Sequence, residues 1–226
     1  MGNLCIIPAR GGSKRIPRKN IKEFLGKPII AYSIKAAIDS GLFDEVMVST
    51  DNLEIADIAK KYGAKVPFMR SANNSDDFAT TFDVIKEVIN YYKDQSIEFD
   101  NLCCLYSCAP FVNPKVLLRA YNQLTKKNFD TVFPIIPFSF PIQRALRVNQ
   151  GKVSMILEDN LNIRSQDLEK SFHDAGQFYW CKTEQLLKSK RLLTSNTGGV
   201  VISELEAQDI DTKTDWKLAE LKYQLK

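Results

Sequence analysis

The feature that most constrains this chain is the alternation of short apolar runs with longer stretches of helical periodicity, punctuated by glycine, proline or asparagine. Leu4-Cys5-Ile6-Ile7, between Asn3 and Pro8, reads as a strand buried on both faces. Pro28 to Ser40 reads as a helix with proline at an early position and Gly41 as its stop, and Glu45 to Thr50 as the next strand. The same logic predicts helices from Asn52 to Tyr62, Thr80 to Lys93 and Pro114 to Lys127. Further strands are expected from Asn101 to Tyr106 and Thr131 to Pro134. Strands alternating with helices predict an α/β fold, a doubly wound and mainly parallel sheet. Ligands of such sheets bind outside the carboxyl ends of the strands, so the loops after Pro8, Thr50 and Tyr106 are expected to face one pocket.

From Phe138 to about Phe172 the rhythm changes. Ala145 to Val148 and Val153 to Ile156 flank Asn149-Gln150-Gly151, a hairpin signal. We expect a small inserted arm over about 138–172 that serves as a dimerisation contact. The sheet pattern resumes at Gln177 to Cys181 and Gly199 to Ile202, and an amphipathic helix from about Thr214 follows. One domain over residues 1–226 accommodates all of this.

Composition excludes several functional classes. With 44% hydrophobic and 26% charged residues the chain is neither disordered nor fibrous. Lys+Arg 31 against Asp+Glu 27 leaves +4, too little for a nucleic-acid partner bound through bulk charge. The basic run from Lys14 to Lys22, read as an RNA-binding surface, lacks interleaved aromatics. The five cysteines form no CxxC pair, which argues against a disulfide framework or a thiolate zinc site. No leader pattern and no apolar stretch of membrane-spanning length is present, so the expectation is a cytoplasmic protein with no membrane partner.

Two segments carry candidate chemistry. After the first strand comes Ala9-Arg10-Gly11-Gly12-Ser13-Lys14-Arg15-Ile16-Pro17-Arg18-Lys19-Asn20. Glycines let a backbone approach phosphate closely, and Arg and Lys complement its charge. The loop matches neither GxxxxGK[ST] nor GxGxxG, and by residue type alone a solvated basic loop stays open. Near the other end lies Gln208-Asp209-Ile210-Asp211-Thr212. On an extended segment, residues two apart point the same way, so Asp209 and Asp211 can offer two oxygen ligands to one Mg²⁺; a solvated acidic turn is the alternative.

The words themselves narrow the choice. Ile7 to Ile21 resembles the N-terminal signature of the acylneuraminate cytidylyltransferases, IPARGGSKGIPRKNI, at every position but Arg15. Three more motifs follow in that family's order, so the resemblance runs from Ile6 to Asp211. It implies a nucleotide-diphospho-sugar transferase-like fold and CMP transfer from CTP to a nine-carbon sugar acid by a homodimer. Arg10 and Lys19 would be catalytic and neutralise the triphosphate. Ala9, Gly11, Gly12, Ser13, Asn20, Arg70 and Ser75 would bind the nucleotide, and Asp209 and Asp211 would hold the metal. Gln166, His173, Gln177 and Tyr179 would meet the sugar, and SQDLE with HDAGQFYW looks like the branch acting on pseudaminic acid, a sugar of bacterial flagella and surfaces. Rival sugars are acylneuraminic acid, legionaminic acid and the eight-carbon acid Kdo. A non-catalytic nucleotide-binding module is the rival of another class; the joint presence of Arg10, Lys19, Asp209 and Asp211 counts against it. Leu105 to Pro110 is expected to form pocket wall.

Overall fold

The structure, a computed structural model, describes residues 2–225. The chain begins with β1 (Asn3–Pro8), followed by the ribbon β2 (Glu23–Phe24) and β3 (Lys27–Pro28). Then come α1 (Ile29–Ser40), β4 (Glu45–Ser49), α2 (Leu53–Lys61), α3 (Thr81–Asp94), β5 (Asn101–Leu105), α4 (Pro114–Lys126) and β6 (Thr131–Pro137). The remainder is β7 (Leu146–Asn149), β8 (Lys152–Met155), β9 (Phe172–Asp174), β10 (Phe178–Lys182), α5 (Thr183–Ser189), β11 (Thr197–Val201) and α6 (Lys213–Gln224). The ribbon, β9 and α5 were not anticipated, since elements of two to seven residues carry too little periodicity to read.

Helix starts follow local caps. Asn52 accepts from the Ile55 N–H and Asn113 from the Val116 N–H, while Thr80 with Asp83 and Thr212 with Asp215 form capping boxes. Each such cap stabilises its helix by about 1 kcal/mol. Gly41, with φ 63°, closes α1 in the left-handed conformation.

The main sheet has the order β4-β1-β5-β10-β6-β11, with β9 paired to β6. β1 is parallel to β4 and β5, and β11 is parallel to β6. β10 runs antiparallel to both neighbours, and β9 antiparallel to β6. The reversal has a simple cause. The 138–172 segment leaves β6 at its carboxyl end, and the chain re-enters the sheet from that same edge without a crossover helix. The start of β10 therefore lies among the carboxyl ends of β1 and β5.

Apolar layers cover both faces. Ile7, Ile34, Leu117, Leu124 and Trp180 belong to one, and Leu4, Ile6, Val88, Tyr92 and Tyr179 to the other. The neighbours Tyr179 and Trp180 thus part to opposite faces, as strand alternation requires. A third, smaller cluster joins Ile16, Phe24, Ile29, Phe111, Ile210 and Trp216. At the edge of the sheet, a Cβ on Gly198 would come 2.5 Å from Phe129 Cδ2. Gly198→Ala should therefore cost about 1–3 kcal/mol of overpacking strain, read as a lower urea midpoint at unchanged slope. Among the described residues no helix is long and apolar enough to cross a membrane.

Candidate active site

An open cavity of about 560 Å³ lies at the carboxyl end of the sheet. Its walls are the basic loop (Arg10, Ser13, Lys14, Arg15, Lys19, Asn20), the turn before α3 (Arg70, Asp76, Asp77, Thr80, Thr81), Tyr106 and Asp211. A larger cavity of about 630 Å³ sits at the opposite edge, beside Leu4, Tyr92, Phe99 and Asn101. That end of an open α/β sheet is not where its ligands bind, and no glycine-containing basic loop reaches it.

The third apolar cluster builds the site. Ile16 from the basic loop and Ile210 from between the two aspartates are each 2% exposed and pack with Phe24 and Trp216. With Ile210 turned inward, the extended alternation turns Asp209 and Asp211 outward. The Lys19 ammonium donates to the Ile210 carbonyl at 2.8 Å and lies 3.6 Å from Asp211 Oδ1. Arg15 Nη1 is 2.8 Å from Asp211 Oδ2, so the one departure from the family signature touches the predicted metal pair. The Asp211 N–H donates to Asp215 Oδ2 at 3.1 Å, and Asp215 also accepts from the Thr212 N–H and hydroxyl. The cap of α6 thereby fixes the backbone that presents Asp211. Desolvation, together with the charge of Asp211, pushes the Asp209 carboxyl above its ordinary range, and Lys19 works against both.

Several predicted contacts are engaged within the fold. Asn20, 5% exposed, accepts from the Ser107 hydroxyl at 2.7 Å and donates to the Arg10 carbonyl at 2.8 Å, which braces the loop beneath the cavity. The Gly11 N–H donates to Asp51 Oδ1 at 2.8 Å, and the buried Ala9 N–H to the Ser49 carbonyl at 2.9 Å. Ala9, Gly11 and Gly12 back the loop and do not line the cavity. The expectation that the loop after Thr50 faces the pocket is corrected likewise: its residues buttress the basic loop from behind. Arg70 is 7% exposed and donates through Nε to Ser49 Oγ at 2.9 Å, yet it reaches the cavity floor. The Ser75 hydroxyl donates to the Ser71 carbonyl and lies off the cavity, where its neighbours Asn74 and Asp76 stand instead.

The turn before α3 was expected to meet the nucleotide, but its pairing with the basic loop was not anticipated. Arg10 Nη1 donates to the Asp76 carbonyl at 2.7 Å, Arg10 Nη2 lies 2.8 Å from Asp77 Oδ1, and Lys14 pairs with Asp77 Oδ2. Lys14 and Arg10 hold the Asp77 carboxyl below its usual range. A carboxylate thus sits on the two cations best placed for a polyphosphate. Asp77→Asn should tighten binding of inorganic triphosphate by a few-fold, the scale of one exposed ion pair, in a calorimetric titration. The signal was present in the sequence: two consecutive aspartates in a turn that must cross the basic loop.

At the predicted sugar end, His173 and Tyr179 border a separate cavity of about 410 Å³, and Gln166 and Gln177 stand away from it. Gln166 stands exposed on a short turn (Ser165–Asp167) of the arm, and the exposed His173 on β9 packs its ring 4.9 Å from that of Phe138, outside the active-site cavity. Gln177 is 3% exposed and donates to the Glu206 carbonyl at 2.6 Å, so its amide nitrogen ties β10 to the turn leading to Asp209. Tyr179 is buried behind Tyr106, with ring centroids 5.6 Å apart. Gly176, at φ +63°, lies beside Asp209: a Cβ there would be 3.8 Å from the carboxylate carbon.

Comparison with known proteins identifies the family. The model of the cytidylyltransferase family matches residues 4–198. A pseudaminic acid cytidylyltransferase of Campylobacter jejuni is 44% identical over 226 residues, covering 100% of this chain and 97% of that one. A CMP-N,N'-diacetyllegionaminic acid synthase of Legionella pneumophila is 31% identical over 96% of this chain and 94% of its own. The structure of a CMP:2-keto-3-deoxy-manno-octonic acid synthetase complexed with CTP superposes with a TM-score of 0.71 at 18% identity, covering 100% and 98% of the two chains. A basic loop and an acidic pair meeting at the carboxyl edge of this sheet, with full-length relatives of one kind, lead to one assignment: the chain belongs to the cytidylyltransferase family.

Proposed function

We propose that this protein transfers the CMP unit of CTP to the anomeric hydroxyl of pseudaminic acid and releases pyrophosphate. The observation that carries the reading is the convergence of Lys19 with Ile210 and Asp211, 191 residues apart in sequence, on a cavity that also holds Arg10. The choice of sugar is supported by the full-length relative that acts on pseudaminic acid. In the reaction the anomeric oxygen attacks the α-phosphorus as the bond to the bridging oxygen of pyrophosphate breaks, and the hydroxyl proton passes to solvent. Arg10, Lys14 and Lys19 bind the triphosphate and stabilise charge as it gathers on the leaving group. Tyr106, Thr80 and Thr81 complete the cavity wall.

The donor set suits Mg²⁺. Among the described residues no third His, Cys, Asp or Glu joins Asp209 and Asp211. Mg²⁺ is commonly held by one or two carboxylates completed by water and substrate phosphate, which Asp209 and Asp211 would provide. When bound, the ion supplies charge neutralisation to the phosphates and a template for their alignment.

We also read the 138–172 segment as a homodimer contact. The hairpin β7–β8 pairs only with itself, and it exposes Leu146 by 58%, Val148 by 71% and Val153 by 61%, beside Phe140 at 83%. An isolated two-stranded hairpin with apolar residues in water is marginal, and a second copy would cover it. Light scattering should give twice the chain mass; a monomer would overturn this reading. All five cysteines are free, which fits a reducing cytoplasm.

The deciding experiment incubates the protein with CTP and Mg²⁺ and, separately, pseudaminic, legionaminic or N-acetylneuraminic acid, and measures pyrophosphate release. Release with pseudaminic acid alone supports the proposal. Turnover with another acid alone overturns the choice of sugar, and turnover with none overturns the transfer.

A further inference from the structure

The basic loop divides its cations between two walls of the cavity. The neighbours Lys14 and Arg15 part in opposite directions: Lys14, with Arg10, pairs with Asp77 before α3, whereas Arg15 Nη1 lies 2.8 Å from Asp211 Oδ2. Asp211 faces a cation on each oxygen, since the Lys19 ammonium is 3.6 Å from its Oδ1. The two cations are held differently. Lys19 has 24% of its side chain exposed and is anchored by its 2.8 Å hydrogen bond to the Ile210 carbonyl. The Arg15 side chain is 69% exposed, and among the described residues it pairs with Asp211 alone.

Arg15 therefore stands between two anionic partners. It lines the same cavity as Ser13, Lys14 and Lys19, where the triphosphate is received. A guanidinium forms paired hydrogen bonds to phosphate oxygens as well as to a carboxylate, and a triphosphate offers more oxygens and more charge than Asp211 does. A divalent ion, by contrast, competes with Arg15 outright: both draw on the charge of Asp211, and two cations on one carboxylate oxygen repel. Exposed ion pairs hold weakly, so Arg15 changes partner at low cost, while the anchored Lys19 does not.

We propose that Arg15 is a latch on the acidic pair: in the empty site it neutralises Asp211 and disfavours a divalent ion there, and bound nucleotide draws it to the phosphates and frees Asp211 for the ion. This rests on the nucleotide and metal roles proposed for the site above. Ion and nucleotide then favour each other's binding through this one side chain, and by linkage the effect is equal in both directions.

The test titrates the nucleotide-free protein with Mn²⁺, followed by electron paramagnetic resonance of the free ion, and separately with inorganic triphosphate in EDTA by calorimetry. Wild type, Arg15→Gly and Lys14→Ala are compared. Arg15→Gly should bind Mn²⁺ about two- to fivefold more tightly and triphosphate about two- to fivefold more weakly, the scale of one exposed ion pair. A damaged fold would weaken both, so opposite signs in one variant identify the latch. Lys14→Ala removes an equal charge from the adjacent position, but the partner of Lys14 is Asp77, so its Mn²⁺ affinity should stay at the wild-type value. The proposal is overturned by Mn²⁺ binding in Arg15→Gly that is unchanged, weaker or absent, by an equal gain in Lys14→Ala, or by triphosphate binding to Arg15→Gly at wild-type strength. Neither titration needs turnover. If no sugar acid is converted, the function reading fails by itself, and the Mn²⁺ and triphosphate shifts still decide the latch.

Discussion

Asp211→Ala should lower kcat by about a thousandfold at saturating CTP while leaving the protein folded. The activity loss follows from removing half of the acidic pair facing Arg15 and Lys19, and charge stabilisation of this kind is worth roughly 10²–10³ in rate. Stability should hardly change. Both ion pairs of Asp211 are partly exposed, with side-chain exposures of 69% and 24% for the cations and 38% for the carboxylate. Such pairs contribute about 0–1 kcal/mol, which at this chain length moves the melting temperature by about 2–4 °C at most. Pyrophosphate release and a thermal melt on one preparation separate the two effects. A fall in kcat of under about fivefold would mean that the pair is an acidic turn and nothing more.

Lys19→Ala is expected to cost about a hundredfold or more in kcat/KM for CTP, with part of the loss in KM. This side chain has two employments. It presents an ammonium to the cavity, and it donates to the Ile210 carbonyl at 2.8 Å, joining the basic loop to the segment that carries the aspartates. The second employment predicts a stability loss of about 1 kcal/mol, which Asp211→Ala should not share. Lys19→Arg keeps the charge but replaces a compact ammonium with a planar fork, so it should restore stability better than activity. Steady-state kinetics and urea melts on the three proteins check this pattern. Full activity in Lys19→Ala would remove the residue from the transfer machinery.

Much of the architecture was legible because it depends on local pattern. The fully buried β1, the capped helices and the hairpin at Asn149-Gln150-Gly151 each declare themselves within a few residues, through apolar runs, cap side chains and a turn in which Gln150 and Gly151 both take positive φ. The alternation at Asp209-Ile210-Asp211 was equally readable, since an extended backbone forces residues two apart to one side. Where pattern was short it failed. The ribbon β2–β3 is too short to show a period, and the reversal of β10 follows from where the chain re-enters the sheet, which no periodicity encodes.

The site divides along the same line. The sequence by itself determined which chemical groups are available: a basic loop with glycines, a pair of aspartates and the segment His173 to Trp180, all words of one family. Only the tertiary structure decided what each group does. Gly11 and Ala9 turn their N–H groups to Asp51 and Ser49, Gln177 turns inward to Glu206, and Asp77 and Arg15 arrive at the cavity from positions with no marked role. The physical reason is that a side chain's identity fixes its donors, acceptors and charge, whereas its partners depend on contacts between distant segments, such as Lys19 and Ile210, 191 residues apart. Those contacts are made by burial of Ile16, Phe24, Ile210 and Trp216 in one cluster, and that burial exists only in the folded chain.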